Sequence, residues 1–344
     1  MENTTILPVE CVSHFQYLYR MKHVTILALE DATINCIDST LQIFTRINDF
    51  LQYQGKAPFY EVHIAGLETS TSLYNGLYSI NTHLSIGQVG HTDIIIIPIT
   101  CGHFPKTIQH NEKFKDWVLR QYKNGAEIVS LCVGAFFLAS TGLLDNRRCA
   151  VHWAAKNEFH ALFPNVTLVD DHLITDEDRI YTCGGAYSYL ILLLYVIEKH
   201  LGREMSLLAS KMFEIDIDRR DQNQFAIFLG QKNHGEDSVL AAQNFIESNY
   251  EKKLSVEEVC SSSGMGRRTF ERKFKKFTGN SVIEYIQRVK VEAAKKKLEL
   301  SRKTINEIVF DIGYNDINAF RMVFKRCTGL SPADYRKKYR HFNH

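Results

Sequence analysis

The feature that most limits what this 344-residue chain can fold into is a pattern stated twice near its C-terminus, about 50 residues apart. In the first copy, Leu254 to Gly279, Ser255 stands three residues before Glu258, the spacing of a capping box at a helix start. Val256 and Val259 face a core, and Gly264 supplies a tight turn. Phe270, Phe274 and Phe277 then recur at helical spacing, with Arg267, Arg268, Glu271, Arg272 and Lys275 on the opposite face. In the second copy, Thr304 caps Ile305 to Phe310, Gly313 turns the chain, and Asp316 caps a helix with Phe320 and Phe324 inside. Its outer face shows Ile317, Asn318, Arg321, Met322 and Lys325. One basic amphipathic helix is usually a solvated face. Two, each behind a short helix and a glycine turn, predict paired helix-turn-helix units joined by one long helix. The second helix of such a unit enters the major groove of double-stranded DNA, where Arg, Lys, Asn and Glu read base edges.

The charge distribution agrees with that division. The whole chain carries +2, but residues 236–344 hold 22 Lys and Arg against 14 Asp and Glu, a net +8, and the preceding 235 residues a net −6. Only the basic C-terminal part is suited to phosphates. Eight cysteines without a CxxC or a Cys/His cluster of metal spacing read as reduced thiols of a cytoplasmic protein, with no metal and no cofactor implied. The N-terminus lacks a basic region followed by an apolar run, so no signal peptide is expected. The most apolar segments, IIIIPI and LILLLYVI, are far short of a membrane span.

Upstream, strand-like and helix-like patterns alternate. Strands are expected at His23–Leu29, Phe59–Leu67, Thr92–Ile99, Glu127–Leu131 and ending at Tyr181–Cys183. Helices are expected at Ile37–Tyr53, at Asn111–Lys123 with Gly125 as C-cap, from Ala135 to Ser140, and at Tyr187–His200. This alternation predicts a flavodoxin-like α/β domain, a mostly parallel sheet with helices on both faces. The expected organisation is an arm over 1–20, an α/β domain over 21–211, a linker over 212–236 in which QFAIFL is a candidate docking strand, and an all-α domain over 237–344.

In the α/β domain the stretch IVSLCVGAFFLAS ends a strand at Leu131 and swings through Cys132 and Gly134 into a helix. Such an elbow presents a side chain at the carboxyl edge of a sheet. A thiol beside a helix N-terminus tends towards thiolate, and His152 lies 20 residues on, so the raw material of nucleophilic catalysis is present. Thr100, Cys101, His152, Trp153, Cys183 and Gly184 are expected to gather at the same strand ends, where open α/β sheets bind ligands.

The C-terminal pattern GMGRRTFERKFKKFTG, a long helix, then INEIVFDIGYNDINAFRMVFKRCTGLSPADYRKKY resembles the DNA-binding domain of AraC/XylS-family transcription regulators over 237–340. The resemblance implies two recognition helices in successive major grooves. Arg268, Glu271 and Arg272 would face bases from the first helix, and Ile317, Asn318, Arg321 and Met322 from the second. Met322 stands where many relatives carry a basic or polar residue. Residues 23–210 resemble the PfpI-type, class I glutamine amidotransferase-like superfamily, and the fusion resembles the GlxA-like subfamily of transcription regulators. Cys132 takes the nucleophile position, but the next position, a catalytic His in peptidase-like members, is Val133. The acidic partner would fall near Asn35, with Glu30 and Asp31 only nearby. The resemblance therefore implies no catalysis but a degenerate enzyme scaffold, lined by Cys132, Val133, His152 and their neighbours, that binds a small effector such as an amino acid or amine. It also implies a homodimer and a contact with RNA polymerase. A Cys132-dependent hydrolase and a thiol redox switch are the alternatives.

Overall fold

The computed structural model describes residues 20–169, 172–218, 221–232, 234–261 and 263–340. The expected N-terminal arm lies outside them except for Arg20. The chain divides into two compact units, residues 1–220 and 221–344, the division falling inside the expected linker.

In the first unit β1 (Lys22–Leu27) leads through α1 (Ile34–Tyr53) to β2 (Tyr60–Gly66). A hairpin, β3 (Ser70–Leu73) and β4 (Tyr78–Asn81), occupies a stretch that reads in sequence only as polar and turn-rich. Then follow β5 (Leu84–Ser85), β6 (Ile94–Ile97), α2 (Phe104–His110), α3 (Lys115–Lys123), β7 (Glu127–Ser130) and α4 (Ala135–Ala139). The short pair β8 (Arg148–Cys149) and β9 (Thr167–Leu168) flanks α5 (Lys156–Leu162). The unit closes with β10 (Ile174–Glu177), β11 (Ile180–Cys183), α6 (Tyr189–Leu201) and α7 (Arg203–Met212). The expected helix at 111–123 is divided: a 3-10 turn at Glu112–Phe114 precedes α3, and Asn124 rather than Gly125 is its C-cap.

Seven strands form one sheet in the order β10-β11-β7-β6-β1-β2-β5, parallel throughout except for the antiparallel edge pair β10–β11. Ile94, Ile95, Ile96 and Ile97 are all fully buried. Since successive strand side chains point to opposite faces, the sheet is covered on both. Strand order reverses between β1 and β6, so the ends of β1, β6 and β7 meet at the switch point where such sheets bind ligands.

The opposite edge is held by a partly buried, hydrogen-bonded cluster. His200 Nε2 lies 2.9 Å from Glu127 Oε1, Tyr181 donates its hydroxyl to Glu127 Oε2 at 2.9 Å, and His200 Nδ1 lies 3.2 Å from the Tyr60 hydroxyl. Burial alone would raise the Glu127 carboxyl, but His200, Lys22 and Tyr181 outweigh it and hold it down at about 2.

In the second unit α8 (Asp237–Ser248) precedes α9 (Val256–Ser261) and α10 (Arg267–Thr278). The long α11 (Val282–Leu300) leads to α12 (Ile305–Asp311), α13 (Ile317–Thr328) and α14 (Pro332–Tyr339). The duplication extends to packing. The Phe274 and Tyr285 rings meet edge-on at 5.4 Å, and Phe324 and Tyr335 repeat that contact at 5.4 Å. Thr278 and Thr328 each donate to a carbonyl four residues back at 2.8 Å, ahead of Gly279 and Gly329, both in left-handed backbone. The expected capping box at Ser255–Glu258 is formed, and the expected cap at Thr304 proves to be a second box, closed by Glu307.

Residues 221–232 belong to this unit, and QFAIFL is not a strand. Asn223–Phe225 is a 3-10 turn, followed by extended chain. The segment straps both halves. Lys338 donates to Gln224 Oε1 and Lys295 to the Ala226 carbonyl, both at 2.6 Å, and the Phe228 ring meets Tyr285 at 5.0 Å.

A carboxyl depressed on folding stabilises the fold above its unfolded value, about 4.3. That contribution fades as pH falls towards about 2. Glu127→Gln is expected to destabilise the first unit by about 2 kcal/mol near neutral pH. Its gap to wild type should close between about pH 4 and about pH 2, as read by denaturation at a series of pH values.

Candidate functional sites

The elbow has the expected geometry. Leu131 is the last residue tied to β6, its N–H donating to the Ile97 carbonyl at 2.9 Å. Cys132 then takes φ +53°, a left-handed conformation that costs a side-chain-bearing residue about 1–2 kcal/mol. A 3-10 turn, Cys132–Gly134, leads into α4. A β-carbon at Gly134 would lie 2.6 Å from the Pro98 carbonyl oxygen, so only glycine lets the turn pass this close to the end of β6.

The chemistry at the elbow differs from expectation. Cys132 is 2% exposed, and burial pushes its thiol up to about 12 against main-chain hydrogen bonds from Val133 and His152. The helix dipole fails to produce a thiolate because α4 has only five residues and the sulfur has left water. Around it lie further buried thiols. Cys183 Sγ accepts the Cys132 N–H at 3.4 Å, and Cys36, in α1, accepts the Ile99 N–H at 3.3 Å and is raised by burial to about 11. The seven described cysteines are all free thiols.

His152 is partly buried, which lowers its imidazole, and its Nδ1 accepts the Ala154 N–H at 3.1 Å, capping its own turn. Trp153 stands beside it, ring centroids 5.3 Å apart. The structure thus brings the main chain of His152 to Cys132, and the imidazole acts as a local cap. Val133 packs partly buried against the core, and Gly184 follows β11, its N–H donating to the Leu173 carbonyl at 2.9 Å.

Thr100 and Cys101 continue β6. Thr100 is buried and bridges Ala32, while Cys101 is exposed and donates its N–H to the Asp31 carbonyl at 2.7 Å. Asn35 is exposed at the start of α1. Glu30 and Asp31 are engaged by α2 and the residue after it. Thr107 donates to Asp31 Oδ2 at 3.0 Å, His110 Nδ1 lies 3.4 Å from Glu30 and 3.5 Å from Asp31, and Asn111 Oδ1 accepts the Glu30 N–H at 2.8 Å. Thr107, His110 and Asn111 carry no sequence signal for this role, since no spacing links them to residues 30–31, which meet them only because β1 and β6 are neighbours. A groove of about 420 Å³ in this unit is lined by Ile34, Asn35, Ile37, Leu41 and Ile80 with their neighbours, and none of the elbow residues reaches it.

On α10, Arg268, Arg272 and Lys275 are exposed, whereas Glu271 is half-buried. Arg267 is held by ion pairs with Glu257 and Glu271, so its charge is already matched within the unit. On α13, Asp316 accepts from the N–H groups of Asn318 and Ala319 at 2.8 and 3.0 Å and fixes the helix start. Asn318, Arg321 and Lys325 are exposed, as is Met322 at 75%, while Ile317 packs partly into the core. A groove of about 590 Å³ lies between the starts of these two helices, lined among others by Arg267, Tyr314 and Asp316.

Residues 54–199 match the DJ-1/PfpI family and residues 259–338 match the helix-turn-helix domain family. The chain therefore carries a DJ-1/PfpI-like domain followed by an AraC-type helix-turn-helix domain. It is similar to the HTH-type transcriptional regulator ArgR of Pseudomonas aeruginosa, 27% identical over 63% of this chain and 66% of that protein. The HTH-type transcriptional regulator GlxA of Rhizobium meliloti is 25% identical over 62% of this chain and 66% of that protein. The match thus spans just under two thirds of each relative's length. A crystal structure of a proposed transcriptional regulator from Vibrio parahaemolyticus superposes with TM-score 0.50 at 21% identity, over 56% of this chain and 99% of that one, a likeness of fold. Among the described residues no helix is long and apolar enough to cross a membrane, and no group of three or more His, Cys, Asp or Glu is placed to hold a metal ion.

Burial of Cys132 has a direct readout. Among the described cysteines, alkylation near pH 8 followed by peptide mass mapping should label exposed Cys101 first. Cys132 should react at least about a hundredfold more slowly than an ordinary exposed thiol. Faster labelling of Cys132 would show that the elbow opens in solution.

Proposed function

We propose that this protein is a DNA-binding transcriptional regulator whose DJ-1/PfpI-like unit senses a small metabolite. The observation that carries the reading is the duplicated core of the second unit, which fixes α10 and α13 in equivalent settings with basic outer faces. Arg268 and Arg272, with Glu271 beside them, are the base-reading set of the first helix. Asn318, Arg321 and Met322, with Ile317 at the helix start, are that of the second. Lys275 and Lys325 position the unit on phosphates, while Arg267, held by Glu257 and Glu271, orders the start of α10. The net +8 from residue 236 onward and the −6 before it support placing DNA on this unit alone.

The sensing half of the proposal rests on the switch point of the sheet. Thr100, Cys101, Cys132 and Val133 follow strands that end near it, Cys183 and Gly184 end the neighbouring β11, and the main chain of His152, with Trp153 beside it, reaches Cys132. These residues are the proposed lining, and an amino acid or amine is the proposed class of effector. The buried thiol of Cys132, with Val133 beside it, favours binding over turnover or redox switching. The first unit would also form a homodimer, twofold assembly being the commonest arrangement. Effector binding would then change how two DNA-binding units are offered to DNA and RNA polymerase in the cytoplasm, provided the effector binds the two states unequally.

Binding sites selected from a randomised duplex library test the DNA half. Arg268→Ala or Arg272→Ala should each cost about 1–3 kcal/mol on the selected site and relax preference at one base position. Unchanged affinity would remove α10 from the readout. Thermal-shift screening of wild type and Cys132→Ser against amino acids, amines, betaines and small aldehydes tests the sensing half. One compound should raise the melting temperature saturably, because a ligand confined to the folded state stabilises it. Loss of that shift in Cys132→Ser would place the ligand at the elbow, and a flat screen would count against metabolite sensing.

A further inference from the structure

The long helix α11 serves both cores of the second unit. Val282, Tyr285 and Ile286 pack into the first, and Val291, Ala294 and Leu298 into the second. Lys290 lies where the two sets meet, and it is 4% exposed. Its amine donates to the Lys252 carbonyl at 2.8 Å, the Ile312 carbonyl at 2.6 Å and the Gly313 carbonyl at 3.3 Å. It also lies 5.4 Å from the centre of the Tyr314 ring.

These partners come from different halves. Lys252 is in the turn between α8 and α9, at the entrance to the first helix-turn-helix, whereas Ile312 and Gly313 form the turn between α12 and α13, inside the second. The two turns touch backbone to backbone. Gly313 has φ +71°, and a β-carbon there would lie 2.5 Å from the Glu251 carbonyl oxygen. Lys290 also lines the 590 Å³ groove between the starts of α10 and α13.

Among the described residues no carboxylate pairs with this ammonium, and burial lowers it to about 8. A buried cation without a counter-ion carries a desolvation cost, offset here by its three carbonyl acceptors. What an apolar residue lacks is direction. Three donors on one nitrogen hold three carbonyls at fixed positions, and those carbonyls belong to the two turns that set the two recognition units.

We infer that Lys290 is a positioning residue: by pinning the turn before α13 to the chain entering α9, it fixes the separation and angle of the two recognition helices and so the spacing of the two base blocks read on DNA. This rests on the proposal above that both helices read DNA. Successive major grooves on one face lie about 10 base pairs apart, so a small change at this junction moves the second helix off its bases.

The test uses full-length wild type, Lys290→Met, Lys290→Arg and Gly313→Ala, each checked for a cooperative melting transition, with duplexes selected from a randomised library. Wild type should select two sequence blocks at a single spacing, and adding or removing one base pair between them should weaken binding about tenfold. Lys290→Met should select the same blocks but discriminate among spacings by less than about threefold. Lys290→Arg, which keeps a cation with several donors, should restore a single preferred spacing. Gly313→Ala displaces the same junction from the other side and should flatten the preference too, which carries the test if Lys290→Met does not fold. A folded Lys290→Met or Gly313→Ala that keeps the wild-type spacing preference, even with uniformly weaker binding, would overturn the inference and leave Lys290 a stabilising residue. A single block selected by wild type would overturn the two-helix reading itself, and the inference with it.

Discussion

The second unit depends on one helix having to complete two cores. Neither a helix pair such as α9–α10 nor one such as α12–α13 encloses its own apolar residues, so each leans on α11. The repeated phenylalanine–tyrosine contacts at 5.4 Å show the same solution used twice. The tyrosine is supplied by the helix that follows each recognition helix, and its hydroxyl is satisfied by a glutamate, Glu247 in one case and Glu299 in the other. A recognition helix in this fold cannot shift without disturbing a fully buried aromatic contact. That stiffness lets surface residues as small as Asn318 hold a fixed position.

In the first unit the governing constraint is desolvation. The same elbow that would present a reactive sulfur in an open site here turns it into the interior, among Cys36, Cys183 and main-chain donors. A five-residue helix offers too small a dipole to offset that loss of water. Glu30 and Asp31, which precede the expected acidic position in sequence, are already engaged by Thr107, His110 and Asn111. The thiol at the elbow and the two carboxylates of residues 30 and 31 are thus each committed to contacts within the unit.

Electrostatics divides the two recognition helices as well. Arg267 is matched by Glu257 and Glu271, leaving Arg268, Arg272 and Lys275 as the outward charges of α10. On α13 the exposed Met322 sits among Asn318, Arg321 and Lys325. An apolar thioether there suits contact with a thymine methyl better than with a phosphate. The two helices therefore share a fold position and differ in the chemistry they offer.

Much of this was legible in the sequence. Helical periodicity at Phe270 and Phe274, the capping box at Ser255, the cap at Thr304, and glycines at 264 and 313 are local signals, and a helix-turn-helix is built almost entirely from local contacts. The β-branched run Ile94–Ile97 likewise specified a strand buried on both faces. What stayed hidden was whatever long-range packing decides. The β3–β4 hairpin lacks a strong alternation, and the strap at 221–232 looks like a linker because its partners, Lys295, Lys338 and Tyr285, lie some 60 to 110 residues on. Lys290 reads as one more basic residue on a basic helix. The sequence by itself determined which elements form and where their caps and turns fall, because those depend on neighbours within a few residues. Only the tertiary structure decided that Cys132 is buried and that Lys290 joins two turns, because desolvation and the meeting of distant carbonyls exist only once the chain has packed.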